Sequence, residues 1–333
     1  MALESTRYLR TLRRLMDHHF NLEEIRLICF DLGIDYEHLS GEGKRGKINE
    51  LLLNLARNGR LADLQTLLRE ERPDTEWPDI PPAEQQVQDE RASIPDAARE
   101  AALQEYLDKM TSLLVEKNLR QSTSDSPLRA SARAYTEAVL SRLDKPRRAL
   151  AVKFMAQSRL FGDDPIVSLA KIDLSETNLS KIDLSGADLV GAELSGATLI
   201  DAILVAADLR FARLNGAKLF HADLRDAWLA AAHMNEVDLS QGNLEWANLA
   251  YADLRRAKFT LANLENAKLI GATLDEADFM SANLQGANLE ESDLSGAYVT
   301  ADQLAQASSL EDAILPSGRQ YDPFIPLEEQ LEL

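Results

Sequence analysis

Residues 182–201, IDLSG-ADLVG-AELSG-ATLID, decide the fold, because they show the five-residue unit that fills most of the C-terminal half of the chain. From Leu169 to Leu304 a Leu, Met, Phe or Val stands at every fifth position, which gives 28 centres in one register. An alanine precedes most centres by two residues, and the positions between are mostly Asp, Asn, Ser, Gly, Lys or Glu. A repeat of fixed period indicates stacked units that bury a core only together.

A period of five fits neither a helix, which needs apolar residues about 3.6 apart, nor a strand, which needs them two apart. The chain therefore turns once per unit, and four units make a coil of 20 residues with the centres and the small residues pointing inward. The 28 centres predict seven coils, a rod roughly 34 Å long at a strand spacing of about 4.8 Å. Val237 and Gly242 replace the alanine and predict an irregularity in the middle of the rod.

This register resembles the pentapeptide-repeat proteins, and the resemblance implies a right-handed quadrilateral β-helix over residues 163–304. Thr300 is expected to be the N-cap of a short helix over residues 301–307 that helps to close the C-terminal end. Residues 305–333 are assigned to a C-terminal cap and an acidic tail. We expect the tail after Tyr321 to be loosely held.

Residues 1–72 predict a compact all-α domain of five or six short helices, because apolar residues recur there at helical spacing. Asn21 and Glu24 form a predicted capping box at the start of the second helix. Leu27 and Phe30 make that helix apolar on its other flank as well, so we expect it to be buried nearly all round. A Gly-rich loop, Ser40 to Gly46, precedes the third helix.

The run from Phe20 to Lys47, FNLEEIRLICFDLGIDYEHLSGEGKRGK, resembles the effector-associated, death-like domains of bacterial conflict and signalling systems. The resemblance implies a six-helix death-like fold that docks on a matching domain in another protein. Clusters of both signs suit two complementary surfaces, and the candidate contact residues are Arg10, Arg13, Arg14, Lys44, Arg45, Glu23 and Glu24. Ordinary solvated helix faces are the alternative interpretation of the same charges.

Residues 73–95 form a predicted Pro-rich linker that stays extended. Trp77 within it either docks on a neighbouring domain or is an exposed linker aromatic. Residues 96–162 predict an α-helical segment that caps the solenoid, with Asp96 as an N-cap and a second helix that stops before Pro146. The segment resembles the helices that precede the repeats in many cyanobacterial pentapeptide-repeat proteins.

The formal net charge of −19 lies mainly on the rod and the tail, since residues 166–299 carry 20 acidic and 10 basic side chains. This balance disfavours nucleic acid and membrane insertion, because both kinds of contact need a basic or an apolar footprint. The single Cys29 cannot form an intramolecular disulfide. With no apolar run of membrane-spanning length, the chain is predicted to be cytoplasmic.

No pattern of catalytic residues is visible, because the five histidines fall at neither metal-ligand nor triad-like spacing. We therefore expect a non-enzymatic protein without cofactor or metal. Two functions remain open. The first is an adaptor or scaffold in bacterial signalling or defence, whose partner carries a matching death-like domain. The second is a DNA-mimicking rod that acts on DNA gyrase, as some pentapeptide-repeat proteins do.

Sorting the outward residues by side of the coil reveals one apolar side, whose centres include Leu209, Leu229 and Leu249. The candidate contact residues on it are Val190, Phe211, Trp228, Tyr251 and Ile270, with Trp246 just before the adjoining corner. A weaker apolar stripe of Ile200, Phe220 and Met280 lies on another side. The apolar side predicts partner binding or homo-oligomerisation, or a surface that the chain's own helices or tail cover.

Overall fold

The computed structural model describes residues 2–32, 34, 36, 43–57, 60–73, 75–78, 95–162 and 164–331. Within these ranges, the side chains at 2–7, 10, 30, 31, 49, 53, 54, 56, 57, 62 and 70 are not among those that the structure describes. The chain divides into two compact units, Met1–Pro95 and Asp96–Leu333. Each unit has its own hydrophobic core and is described by itself.

The described part of the first unit contains four helices: α1 Ala2–His19, α2 Leu22–Asp31, α3 Gly43–Arg57 and α4 Leu61–Glu71. The sequence predicted five or six helices for residues 1–72, of which residues 37–42 and 58–59 lie outside the described residues. Because α3 already begins at Gly43, the predicted loop ends earlier than Gly46. The core joins all four helices through buried side chains such as Leu12, Ile25, Leu51 and Leu64.

Helix α2 confirms one prediction and corrects another. The Glu24 backbone N–H donates to Asn21 Oδ1 at 3.0 Å, and the Asn21 N–H donates to Glu24 Oε2 at 2.7 Å, so the capping box is present. Leu27, however, is 61% exposed, so α2 is not buried all round. The helix buries one face, formed by Ile25, Ile28, Cys29 and Leu32, whereas the side chain of Phe30 lies outside the described residues.

Trp77 packs against the helical unit, which settles the choice that the sequence left open. Its side chain is only 6% exposed. Its ring centroid lies 6.0 Å from that of His19 and 6.2 Å from that of Phe20. Its Nε1–H donates to the Arg72 carbonyl at 3.2 Å. The start of the predicted linker is therefore part of the packed unit.

The second unit begins with α5 Asp96–Val115, a 3₁₀ turn Leu119–Gln121, α6 Pro127–Leu140 and α7 Lys145–Gln157. Asp96 lies inside the first turn of α5 and is not its N-cap. Helix α6 ends at Leu140, whereas Pro146 stands in the first turn of α7 behind the N-cap Asp144. The helix therefore stops before Pro146 as predicted, and the proline itself stands in the first turn of the next helix, where it loses no intrahelical hydrogen bond.

The repeats follow a register of 20 residues in their hydrogen bonding. Parallel bridges join residues 20 apart, for example Asp188↔Asp208 and Trp228↔Asn248. The Leu209 N–H donates to the Trp228 carbonyl at 2.7 Å, and the Trp228 N–H donates to the Ala207 carbonyl at 2.9 Å. Each bridge is isolated, because the chain turns again after every unit, and the described repeats contain no longer strand.

The inward positions form one continuous core with the helices of this unit. Phe259 and Phe279, in adjacent coils, stack with centroids 4.9 Å apart and planes 8° apart. The predicted irregularity at Val237 and Gly242 is absent, because their carbonyls accept from the N–H groups of Lys258 and Asn263, each at 2.9 Å. The missing methyl group at Gly242 therefore leaves the ladder intact.

Thr300 caps α8 Ala301–Leu304, and the Gln303 side chain returns a bond to the Thr300 N–H. The helix is shorter than the predicted 301–307. The tail is also more ordered than predicted, since α9 Leu327–Leu331 packs on the core and Gln330 is only 3% exposed. Gln330 Nε2 donates to the carbonyls of Asp322 and Ile325, at 2.9 and 2.6 Å.

None of the helices that the structure describes combines the length and the apolar character needed to cross a bilayer.

Candidate protein-interaction surfaces

The charged residues of the first unit separate into structural and exposed groups. Lys44 Nζ donates to the carbonyls of Asp17 and Phe20, at 2.5 and 3.1 Å, and lies 3.3 Å from Asp17 Oδ1. Arg45 Nε donates to Asp17 Oδ2 at 2.6 Å. Both side chains therefore tie the start of α3 to the end of α1, a structural role that the sequence did not indicate.

Glu24 also has a structural role. It completes the capping box of α2 and forms an ion pair with Arg72 Nη2 at 2.6 Å, which fastens the chain after α4 to α2. The pKa of its carboxyl is lowered, chiefly because the Asn21 N–H donates to it and also because Arg72 does. Removing Glu24 therefore destabilises the unit whatever its effect on binding.

Arg13 and Arg14 are exposed on α1, and the side chain of Glu23 is 74% exposed on α2. Glu23 also lies 3.5 Å from Arg26 within its own helix. The side chain of Arg10 lies outside the described residues. The structure thus brings together Lys44, Arg45 and Asp17, whereas Arg13 and Arg14 face solvent.

The Asp17 contacts predict how the first unit responds to acid. Hydrogen bonds from Arg45 and Lys44 hold the pKa of Asp17 below its ordinary value. The ionised carboxylate therefore stabilises the folded unit above about pH 4, and this stabilisation is lost as the pH falls through the lowered pKa. We expect the helical circular dichroism of the first unit to be lost at low pH less steeply in Asp17→Asn, which is also less stable at neutral pH. Identical acid profiles for the two proteins would contradict this role.

The second candidate surface is the first side of the rod, defined by the centres Leu189, Leu209, Leu229, Leu249 and Leu269. Trp228 stands on it at the position before a centre, where most repeats have Asp or Asn. There the carboxylate or amide accepts from the N–H two residues on, as Asp208 does from Arg210 at 3.2 Å. An indole ring cannot accept this bond, so the turn does not require Trp228, which is 51% exposed.

Arg210 holds the ring of Trp228 from one side. Its guanidinium carbon lies 5.5 Å from the ring centroid. Its Nε and Nη2 donate to the two carboxylate oxygens of Asp208, at 2.8 and 2.6 Å. These two hydrogen bonds fix the guanidinium of Arg210 in place. A cation over an aromatic face attracts the ring, so Arg210 in turn holds the indole of Trp228.

Tyr251, which is 59% exposed, lies against the next coil of the rod. A Cβ atom at Gly271, one coil further on, would lie only 2.5 Å from Tyr251 Cε1. The ring therefore covers the glycine, whose missing side chain makes room for it. Phe211 occupies the same column two coils earlier and is half-buried, as are Val190 and Ile270. Trp246 is 55% exposed at the corner before this side.

Much of the acidity of the rod belongs to the turns. The Asp223 carboxylate accepts from the Arg225 N–H at 3.3 Å and from its guanidinium at 2.9 and 2.7 Å. Hydrogen bonds from Arg225 lower the pKa of Asp223. Asp253 binds Arg255 in the same way. A negative formal charge on the rod is therefore weak support for mimicry of DNA.

Three further carboxylates lie in consecutive coils near the corner before the first side: Glu245 and Glu265 share one column, and Asp226 lies one position closer to the corner. We call this set the carboxylate edge. Arg225 is the sole basic residue on the adjoining side, whose centres run from Leu184 to Leu304, and its guanidinium is engaged by Asp223. One margin of the apolar first side thus carries negative charge, whereas the exposed Lys268 lies on the first side itself.

Phe324 is the most exposed of several apolar side chains that the sequence analysis did not identify as exposed. Phe324 is 94% exposed on a turn in which Asp322 Oδ1 accepts from its N–H at 2.9 Å. The word DPF, an Asx-turn residue followed by proline, is the signal that could have indicated this turn. Among the described residues no group of three or more His, Cys, Asp or Glu side chains could hold a metal ion.

Comparisons with known proteins agree with these two units. A family model of effector-associated domain 7 matches residues 12–73. A model of pentapeptide repeats matches in eight copies between residues 168 and 296. No curated protein matches the chain.

Several solved structures are similar to the rod. HetL, a pentapeptide repeat protein involved in heterocyst differentiation regulation from the cyanobacterium Nostoc sp. strain PCC 7120, is 37% identical over 46% of this chain and 77% of its own, with a TM-score of 0.32. A pentapeptide repeat protein from the cyanobacterium Cyanothece 51142 is 28% identical over 38% and 87%, with a TM-score of 0.19. QnrB1, a plasmid-mediated fluoroquinolone resistance protein, is 23% identical over 40% and 68%, with a TM-score of 0.38.

Proposed function

The chain belongs to the pentapeptide-repeat proteins and carries an effector-associated domain at its N-terminus, and we propose that it is a non-enzymatic adaptor in a bacterial signalling or defence system. In this proposal the first unit docks on a matching domain of another protein. The rod, which we infer to be the right-handed quadrilateral β-helix of its family, presents a rigid surface to a second protein. The observation that carries the proposal is that one polypeptide contains both an effector-associated domain and a rod that exposes aromatic side chains.

The rod suits a binding surface because its backbone is fixed by the ladder between coils. Outward side chains on such a scaffold can be exchanged without disturbing the inward columns of Ala and Leu. Trp and Tyr, the exposed aromatic residues of the first side, are the commonest anchors of protein interfaces.

The alternative, a DNA mimic that acts on gyrase, has less support. A mimic needs carboxylates that stay available to a basic groove. Here Asp208, Asp223 and Asp253 each bind an arginine and cap a turn. A supercoiling assay with added protein tests this alternative directly, and inhibition or protection of gyrase at stoichiometric protein would favour it.

The adaptor proposal predicts that charge reversal on α1 breaks docking without unfolding the domain. We expect the full chain with Arg13→Glu and Arg14→Glu to bind a tagged second copy, or a protein with the same domain from the same genome, about tenfold or more weakly. Both side chains are exposed, so the melting temperature should stay close to that of the wild type. Light scattering and equilibrium binding measure the two effects.

The matched control is the pair Arg13→Lys and Arg14→Lys, which keeps the charge and should retain most of the binding. Glu24→Ala is a second control, because it removes a cap and an ion pair and should lower the melting temperature. If wild-type protein binds neither its own copy nor any effector-associated domain of the same cell, homotypic docking is wrong. If the double Arg→Glu variant binds as tightly as the double Arg→Lys variant, the docking surface does not include these positions of α1.

A further inference from the structure

We propose that the first side of the rod, together with the carboxylate edge, binds a basic amphipathic helical segment of a protein partner. The proposal rests on the proposed function of the rod as a protein-binding surface and names the chemistry of the partner. It follows from three features of this surface: its ordered aromatic rings, their spacing along the rod, and the charge at its border.

The exposed rings are already held in place, so binding costs little side-chain entropy. Trp228 lies against the guanidinium of Arg210, which Asp208 fixes through two hydrogen bonds. Tyr251 lies over the backbone of Gly271. An anchor that is ordered before binding does not lose rotamer freedom on binding. Exposed rings fixed in this way offer apolar area to a second molecule.

The spacing of the apolar residues suits a helix that runs along the rod. Phe211 and Tyr251 occupy the same column two coils apart, a separation of about 10 Å at a spacing of about 4.8 Å per coil. In an α-helix, residues i and i+7 lie on one face about 10.5 Å apart. Apolar residues at i, i+3 or i+4, and i+7 would therefore meet successive coils of the first side.

The charge at the border selects a basic partner. Asp226, Glu245 and Glu265 line one margin of the apolar side in consecutive coils, and the neighbouring Arg225 is engaged by Asp223. The first side itself carries two basic residues: Arg210, which is engaged by Asp208, and Lys268, which is exposed. Lys or Arg residues on one flank of the helix would face these carboxylates. A second copy of this chain is a poorer occupant, because it would bring the same carboxylate edge and a formal charge of −19 into the contact.

The test uses the full chain and a synthetic helical peptide of Leu and Lys, with Leu at i, i+3, i+4 and i+7 and Lys elsewhere. Trp228 and Trp246 are exposed and Trp77 is buried, so tryptophan emission reports on this part of the rod. We expect saturable one-to-one binding with a blue shift of the emission, weakened by salt. A peptide of the same composition with scattered Leu, and a peptide with Glu in place of Lys, should each bind about tenfold or more weakly.

Variants locate the site. The pair Trp228→Ser and Tyr251→Ser should weaken binding about tenfold or more. The triple change Asp226→Asn, Glu245→Gln and Glu265→Gln should weaken it about tenfold at low salt, because exposed ion pairs contribute up to about 1 kcal/mol each, and should reduce its salt dependence. The matched control is Phe220→Ser with Met280→Ser, which removes two exposed apolar side chains on another side and should change the affinity less than about twofold.

Several results would overturn the proposal. It fails if the Glu peptide binds as well as the Lys peptide, or if the control pair and the Trp228 and Tyr251 pair have equal effects. It also fails if the rings are already covered: sedimentation would reveal a dimer that the Trp228 and Tyr251 pair abolishes, or acrylamide would quench none of the exposed-type emission. These outcomes leave domain docking untouched, because the α1 variants test that function separately.

Discussion

Phe279→Ala is expected to lower the free energy of unfolding of the second unit by about 3–5 kcal/mol. Phe279 and Phe259 are fully buried and stack with centroids 4.9 Å apart. Removing one ring leaves a cavity between two coils whose backbones the ladder holds at a fixed distance, so the site cannot collapse to fill it. Chemical denaturation followed by circular dichroism measures the loss.

Two controls make this result specific. Met280→Ala removes a side chain of similar size from the next residue, which is 59% exposed, and should change stability by less than about 0.5 kcal/mol. Phe279→Leu installs the residue that most centres carry and should cost less than Phe279→Ala. If Phe279→Ala is no worse than Met280→Ala, the centre column is not what holds the rod together.

The effect should extend beyond the two coils that lose contact. In a stacked repeat each unit is stabilised by its neighbours, so stability is a sum of unit and interface terms. The cavity weakens the interface between the coils that hold Phe259 and Phe279, near the C-terminal end. We therefore expect the coils beyond it, with α8 and α9, to become the first part to exchange backbone hydrogens.

The sequence predicted the rod well, because its period is a direct consequence of the chain path. A centre at every fifth residue determines which side chains point inward, and a register of 20 assigns each outward residue to a side. The same register predicts that Phe211, Trp228 and Tyr251 lie on one side. Whether these residues bind a partner stays a prediction, since a register assigns positions and does not identify what covers them.

Other features could not be predicted, because they depend on which neighbours a side chain meets. Leu27 is apolar and was therefore predicted to be buried, yet it is exposed because α2 packs against its neighbours on one face only. Pro146 correctly predicts that one helix has ended, yet its type alone does not show that it also stands in the first turn of α7. The anchoring of Lys44 and Arg45 on Asp17, the Arg210 contact with Trp228 and the cover of Gly271 by Tyr251 join residues between 18 and 28 positions apart. The register of 20 places Tyr251 and Gly271 in one column, but it does not show which way a side chain turns, and no spacing rule covers the pairs with Asp17.

Trp77 gives the second large expected effect. We expect Trp77→Ala to lower the free energy of unfolding of the first unit by about 3–5 kcal/mol, because its ring is 6% exposed and lies against His19 and Phe20. Small helical domains have total stabilities of about 5–15 kcal/mol, so this loss takes a large share. Glu76→Ala, an exposed neighbour, is the control and should change stability by less than about 0.5 kcal/mol.

The same contact predicts where the first unit ends. A chain of residues 1–72, the domain proposed from the sequence, lacks Trp77 and the Pro78 carbonyl to which Gln65 donates. It would expose the apolar surface that the indole covers, and it should melt at a lower temperature than residues 1–95, which keep both contacts. Binding tests made with the shorter chain would then confuse loss of fold with loss of docking. Equal melting curves for residues 1–72 and 1–95 would mean that the Trp77 contact does not stabilise the first unit. The prediction for Trp77→Ala would then be wrong as well.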